Sequence, residues 1–267
     1  MATLRNATAA MILSLWSFSC AAQDFKGQPE QCGSCPPTKV SEVLTHHGIA
    51  LTEEALVLAL RSDDEKIRGM AASQLEIEGA RNAIPAIVDA LQAERAPAQR
   101  VYIAEALAEM KDDRGIQALR LDCNDSNLPI TYRLASARYL AMFQDDRSCW
   151  KVVAEAAQFK DDPGTRAQAL SMVPDFKRSS AEQFAVLHAL LLNGLRDEDP
   201  MVRMQTGNIL ETMGDVSAIP ALQTAITAEG DAQVRDALED DLSRLQKKQH
   251  YPRDGVAVDK EVYNEGP

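Results

Sequence analysis

Residues 199–222 read DPMVRMQTGNILETMGDVSAIPAL, and this stretch decides the fold. Asp199 is a good helix cap, because its carboxylate accepts the free amides of a first turn. Pro200 behind it suits the first helical position, where no amide bond is lost. Arg203 stands four residues after the cap, Leu210 seven residues after the arginine and Ile219 sixteen after it. Working outward, Arg68, Arg100, Arg133, Arg166, Arg203 and Arg235 follow one another at 32, 33, 33, 37 and 32 residues. Leu75, Leu107, Leu140, Val173, Leu210 and Leu242 keep the seven-residue offset; Ile84, Ile116, Cys149 and Ile219 keep the sixteen-residue one. A fixed period of this size marks a stacked repeat.

Each unit reads as two helices. The first carries apolar residues at three- and four-residue spacing, as in Ile84, Ile87, Leu91 and Ile219, Leu222, Ile226, the period of an amphipathic helix. An acidic turn leads to the second helix and its arginine. Ala83-Ile84-Pro85-Ala86 and Ala218-Ile219-Pro220-Ala221 open first helices in two units. Strand signals are absent. The expected fold is all-α, a right-handed α-solenoid of about six stacked antiparallel helix pairs at 51–78, 83–110, 115–143, 146–176, 181–213 and 217–247. A short cap helix, opened by Ser41 and ended by Gly48, precedes them. The repeat domain is placed at 39–247 and a flexible tail at 248–267. Its Tyr251, Val256, Val258, Val262 and Tyr263 could dock on the last helix.

The Asp-x-x-Val-Arg starts at 199–203 and 231–235, with Ala-Ile-Pro-Ala-Leu at 218–222, resemble the short HEAT-like repeat of phycobilisome-lyase-type arrays over about 51–247. The resemblance implies a helical-repeat scaffold and says little of function. The signatures of ankyrin and tetratricopeptide repeats are missing.

Asp64, Asp162, Asp199 and Asp231 stand four residues before Arg68, Arg166, Arg203 and Arg235. Stacked helices lie about 8–10 Å apart, so a column of arginines would repel itself. The aspartates are expected to lie between successive arginines, capping their helices and accepting guanidinium bonds. This makes the ladder a register device. Arg100 and Arg133 lack the capping aspartate, having Ala96 and Pro129 instead, and are the candidate partner-binding pair. The 37-residue step before Arg203 places about four extra residues near 173–180, expected as an edge loop.

The N-terminus reads as an export signal over residues 1–22, with Arg5, an apolar run from Ala9 to Phe18 and small residues around Ala21 and Ala22. Ser17-Phe18-Ser19-Cys20 resembles a lipoprotein processing box, which makes Cys20 a lipidation candidate and the only expected membrane tether. Residues 23–38 form a linker with a CxxC at Cys32 and Cys35. Pro36 and Pro37 follow at once and no strand precedes, so a loop disulfide or a staple onto the array is favoured over redox or metal use. In the repeat register Cys123 and Cys149 fall at opposite edges, which disfavours their direct pairing.

The formal net charge of −12 disfavours a phosphate-binding surface and hence nucleic acid. No cofactor and no metal site is read. The four histidines, His46, His47, His188 and His250, include no His-Glu pair of the kind that HEAT-type metal hydroxylases use. No phosphate loop, nucleophile elbow or HExxH occurs. The expected function is an exported scaffold, periplasmic or extracellular, that holds a protein partner along the concave face of its second helices without catalysis. A chromophore-lyase-like subunit and a passive envelope structural protein are the alternatives.

Overall fold

A computed structural model describes residues 39–250. The expected signal peptide, Cys20, the linker with Cys32 and Cys35, and the tail from Tyr251 onward lie outside the described residues. Thirteen α-helices and no strand occur among those described. We number them α1 Val40–His46, α2 Glu53–Ala59, α3 Glu65–Ile77, α4 Ile84–Ala93, α5 Pro97–Glu109, α6 Asp113–Asn124, α7 Ile130–Phe143, α8 Trp150–Ala156, α9 Pro163–Met172, α10 Ala181–Gly194, α11 Pro200–Met213, α12 Ile219–Ala228 and α13 Ala232–His250.

From α2 onward the helices alternate as first and second members of six pairs, an all-α solenoid architecture. They fall into two compact units, up to Cys149 and from Trp150 onward. In the first unit the second helices stack α3 on α5 and α5 on α7, with α2, α4 and α6 packed alongside and α1 against α3. In the second, α9 packs on α11 and α11 on α13, with α8, α10 and α12 beside them.

Local chemistry sets the helix ends. Asp64, Asp162, Asp199 and Asp231 accept first-turn amides at 2.8–3.2 Å. The two Ala-Ile-Pro-Ala stretches give the same geometry twice. Each follows a 3-10 turn, and Ala83 and Ala218 share φ −79°, ψ −9°. Gly79 and Gly214, eleven residues after their arginines, take φ +68° and +66°, the left-handed C-terminal cap that costs glycine least. Helix α1 begins at Val40 after Lys39 rather than at a Ser41 cap; the Ser41 carbonyl instead accepts the Thr45 hydroxyl.

The seven-residue column forms the core. Leu75, Leu107, Leu140, Val173 and Leu210 are wholly buried. A lone helix pair cannot bury such faces, so stability is a sum of neighbour terms.

Three expectations are corrected. The extra residues at 173–180 are no loose loop. Val173–Phe176 form a 3-10 turn packed against α9 and α10, and its Phe176 is wholly buried. The final helix runs past Lys247 to His250, because Lys248 reaches back to the Glu211 carboxylate at 2.8 Å and its carbonyl at 2.6 Å. Cys123 and Cys149 form a disulfide with Cα atoms 6.0 Å apart. The reason lies between α7 and α8: no helix starts until Trp150, so residues 146–149 run back along α6, and Asp146 accepts Arg120 Nε at 2.6 Å.

Candidate functional site

The arginine ladder is wired differently from the sequence expectation. The aspartates hold the helix starts, while the guanidinium forks of Arg68, Arg166 and Arg203 go to a carboxylate in the turn of the following pair. Arg68 Nε and Nη2 donate to Glu94 at 2.7 and 2.8 Å; Arg203 grips Glu229 at the same two distances. Arg166 grips Asp197 at 2.8 and 2.7 Å. The Nη1 of each donates to carbonyls in its own inter-helix turn: Ser62 and Asp63, Phe159 and Lys160, Asp197 and Glu198.

The carboxylates are fixed in turn by amides two residues on, as at Ala96, Asp199 and Asp231. Each rung therefore ties two turns together, and planar, bidentate pairing makes it specific. Arg203 outweighs burial at Glu229 and holds it at about 2. At Glu94 burial pushes upward, but Arg68 and the turn amides prevail and keep the group below its ordinary value.

Arg100 and Arg133 are consequently not a free pair. Arg100 Nε donates to both oxygens of buried Asp122 at 2.8 and 3.1 Å, and Arg133 Nε donates to the Cys123 carbonyl at 3.3 Å. The capping aspartate was the wrong marker, because the cap and the fork's acceptor are different residues. A carboxylate two residues before the cap position was the readable signal at Glu94, Asp197 and Glu229; Asp122 carried none.

The second helices of the first unit also carry a stripe of residues that the core does not cover. On α5 this is Ala98, Tyr102, Glu105 and Glu109, and on α7 Thr131, Ala135, Arg138 and Met142, at matching offsets from Arg100 and Arg133. Met142 on α7 and Ile77 at the same offset on α3 are exposed by 42% and 44%, which places apolar area on an otherwise polar face.

Between them lies a polar cluster. The buried Tyr139 hydroxyl donates to Glu109 at 2.6 Å, and Gln144 approaches the same hydroxyl at 3.4 Å. Burial, then Glu109, pushes the Tyr139 pKa upward. Glu105, half-buried one turn before Glu109, has no hydrogen bond among the described residues. Burial raises its pKa from the ordinary 4.5 to about 8, Arg138 opposing the rise and Glu109 adding to it.

The sign of the consequence follows. An unfolded chain releases this proton near 4.5, the fold only near 8, so stability falls as pH rises through that window. Glu105→Gln should therefore raise the thermal midpoint by about 3 °C at about pH 9 and leave it nearly unchanged at about pH 5. An equal shift at both pH values would show that Glu105 is not the titrating group.

His188 Nε2 on α10 donates to Asp215 at 2.5 Å, and the Ser217 hydroxyl donates to the other oxygen of Asp215 at 2.5 Å. Burial raises the Asp215 pKa, but Ser217 and His188 outweigh it and leave it lowered. The aspartate stands between serine and histidine, so the imidazole has no hold on the hydroxyl and this trio is not wired as a nucleophile and its base. It fastens α10 to the turn before α12. Among the described residues no trio of His, Cys, Asp or Glu is placed to hold a metal ion.

Stacked helix pairs, tied at Arg68, Arg100, Arg166 and Arg203 to a carboxylate of the following pair, define the class as an all-α solenoid of short repeats. The HEAT repeats family model matches residues 151–243, and the helix pairs before them continue the period, so the chain is similar to HEAT repeats over that segment and built alike before it. No curated protein matches the chain. Among solved structures, the complex of CpcE and CpcF of phycocyanin lyase from Nostoc sp. PCC7120 is 18% identical with a TM-score of 0.34, over 84% of this chain and 100% of that one. Human deoxyhypusine hydroxylase is 16% identical with a TM-score of 0.29, over 92% and 99%. Both scores are low, and the fold assignment rests on the helix pairs and the family match.

Proposed function

We propose that this protein is an exported scaffold that binds a protein partner on the α3–α5–α7 stripe of its first unit, without chemistry of its own. One observation carries the reading: Glu105 stands without a hydrogen bond, beside Arg138 and Tyr102, on a stripe flanked by exposed Ile77 and Met142. Tyrosine and arginine set in partly desolvated, apolar surroundings are the commonest energetic anchors of interfaces. A bound partner would complete the desolvation and supply the group that Glu105 lacks. No helix among the described residues is long and apolar enough to cross a membrane.

The export part of the proposal is supported by the Cys123–Cys149 bond, since disulfides persist in oxidising compartments and are rare in the cytosol. The apolar N-terminal run and Cys20 allow either a processed soluble chain or a lipidated one.

One preparation tests both parts. Protein recovered from the envelope should begin near Cys20 to Gln23 by non-reducing mass spectrometry, with Cys123 and Cys149 joined. Photo-cross-linking from the stripe should trap one partner that Tyr102→Ala with Arg138→Ala loses at least about tenfold, as expected for anchors worth 1–2 kcal/mol. An unprocessed chain with free thiols would sink the export reading. A partner trapped equally by wild type and the double variant would sink the stripe.

A further inference from the structure

Helix α13 carries a core-column residue that the fold leaves partly uncovered. Leu75, Leu107, Leu140 and Leu210 are wholly buried, but Leu242, their equivalent on α13, is only half-buried. Beside it α12 and α13 form a cleft of about 340 Å³ lined by Ile226, Thr227, Glu239, Leu242, Ser243 and Gln246. The four α13 residues among these recur at three- and four-residue spacing, so they make one stripe along the helix.

The charges of the same helix are sorted about that leucine. Asp236, Glu239, Asp240 and Asp241 precede Leu242; Arg244, Lys247 and Lys248 follow it. A helix dipole favours such an order only within the first and last turns, and Glu239, Asp240 and Asp241 stand in the middle of α13. Asp241 and Lys248 are used within the unit, by Arg244 and by Glu211. Asp236, Glu239, Asp240 and Lys247 are exposed and form no ion pair among the described residues.

This order makes the helix complementary to itself when two copies run antiparallel. A residue some way before the crossing point then meets one the same way after it. Asp236 lies six residues before Leu242 and Lys247 five after, a mismatch of about 1.5 Å along the axis. Asp240 lies two before and Arg244 two after. Parallel pairing would set acids against acids and bases against bases.

We propose that the α12–α13 face is a self-association surface, on which a second copy packs by the same face with the two α13 helices antiparallel about a two-fold axis at Leu242. The two Leu242 side chains meet at the axis, and Asp236 of each copy pairs with Lys247 of the other. An isologous contact of this kind closes on itself, giving a dimer and not a filament. The surface is distinct from the α3–α5–α7 stripe and does not depend on it.

Sedimentation velocity of the full chain over a wide range of concentration tests this. Wild type should pass from monomer to dimer as concentration rises. Asp236→Lys and Lys247→Glu each set like charges opposite one another and should weaken association at least about tenfold. Both changes in one chain should restore it, as should an equimolar mixture of the two single variants, because every contact then regains opposite signs. Leu242→Asp should abolish the dimer and leave the helical circular dichroism of the monomer in place. A wild-type chain that stays monomeric throughout overturns the proposal. So does a dimer indifferent to Asp236→Lys and Lys247→Glu, or one that the double exchange does not restore, since the contact would then lie elsewhere.

Discussion

Gly115→Ala should cost about 2–3 kcal/mol, lowering the melting midpoint of the first unit by roughly 4–12 °C. The sign is the informative part. Within a helix, replacing glycine by alanine ordinarily gains about 0.5–1 kcal/mol, since alanine loses less backbone freedom on folding. Here α6 lies so close to α5 that a Cβ on Gly115 would fall 2.4 Å from the Ala104 oxygen and 2.6 Å from the Ala108 nitrogen. Both are backbone atoms of a neighbouring helix, so relief requires the two helices to part and to open contacts around Leu107 and Leu119, both wholly buried. Gly69→Ala is the matched control. Its Cβ would meet the Gln99 side-chain oxygen at 2.2 Å, a flexible end that can swing away. Melting curves of the two variants decide the matter. A stable Gly115→Ala protein would mean that α5 and α6 are not in this close contact.

Arg203→Gln is the second large expected loss, about 3 kcal/mol near neutral pH. The Glu229 side chain is 4% exposed and would be left buried without its fork, and the Asp197 and Glu198 carbonyls would lose their donor. The loss should shrink in acid. Glu229 has a folded pKa of about 2 against an ordinary 4.5, so its contribution is fully present above about 4.5 and is lost as pH falls toward 2. Denaturant midpoints of wild type and variant should therefore converge between about pH 4.5 and pH 2. A gap that stays constant over that range would mean that the pair contributes through packing and not through charge.

These two experiments separate two ways of holding a repeat in register. Gly115 sets how near neighbouring helices can come. The rungs set which turn faces which. Neither was visible as such in a single unit. The arginine period and the capping aspartates were legible, since a cap acts on amides two and three residues away. The rung left only a faint mark, the carboxylate two residues before the next cap position at Glu94, Asp197 and Glu229, because its acceptor lies 22 to 31 residues on and only stacking brings it near. Arg100 shows the cost of reasoning locally. Without a capping aspartate it looked available, yet Asp122 on α6 takes it. Glu105 shows the same limit, for nothing in Glu-Ala-Leu-Ala-Glu foretells burial beneath neighbours on α7.

The sequence by itself determined the helix pairs, their boundaries to within a few residues, and the column of leucines that becomes the core. Periodicity, caps and Ile-Pro helix starts act over one or two turns and need no partner. Only the tertiary structure decided the Cys123–Cys149 pairing, the buried place of Phe176, the acceptors of the arginine forks and the raised pKa of Glu105. Each depends on the path between helices or on the summed burial from several of them, and both are set by how pairs stack.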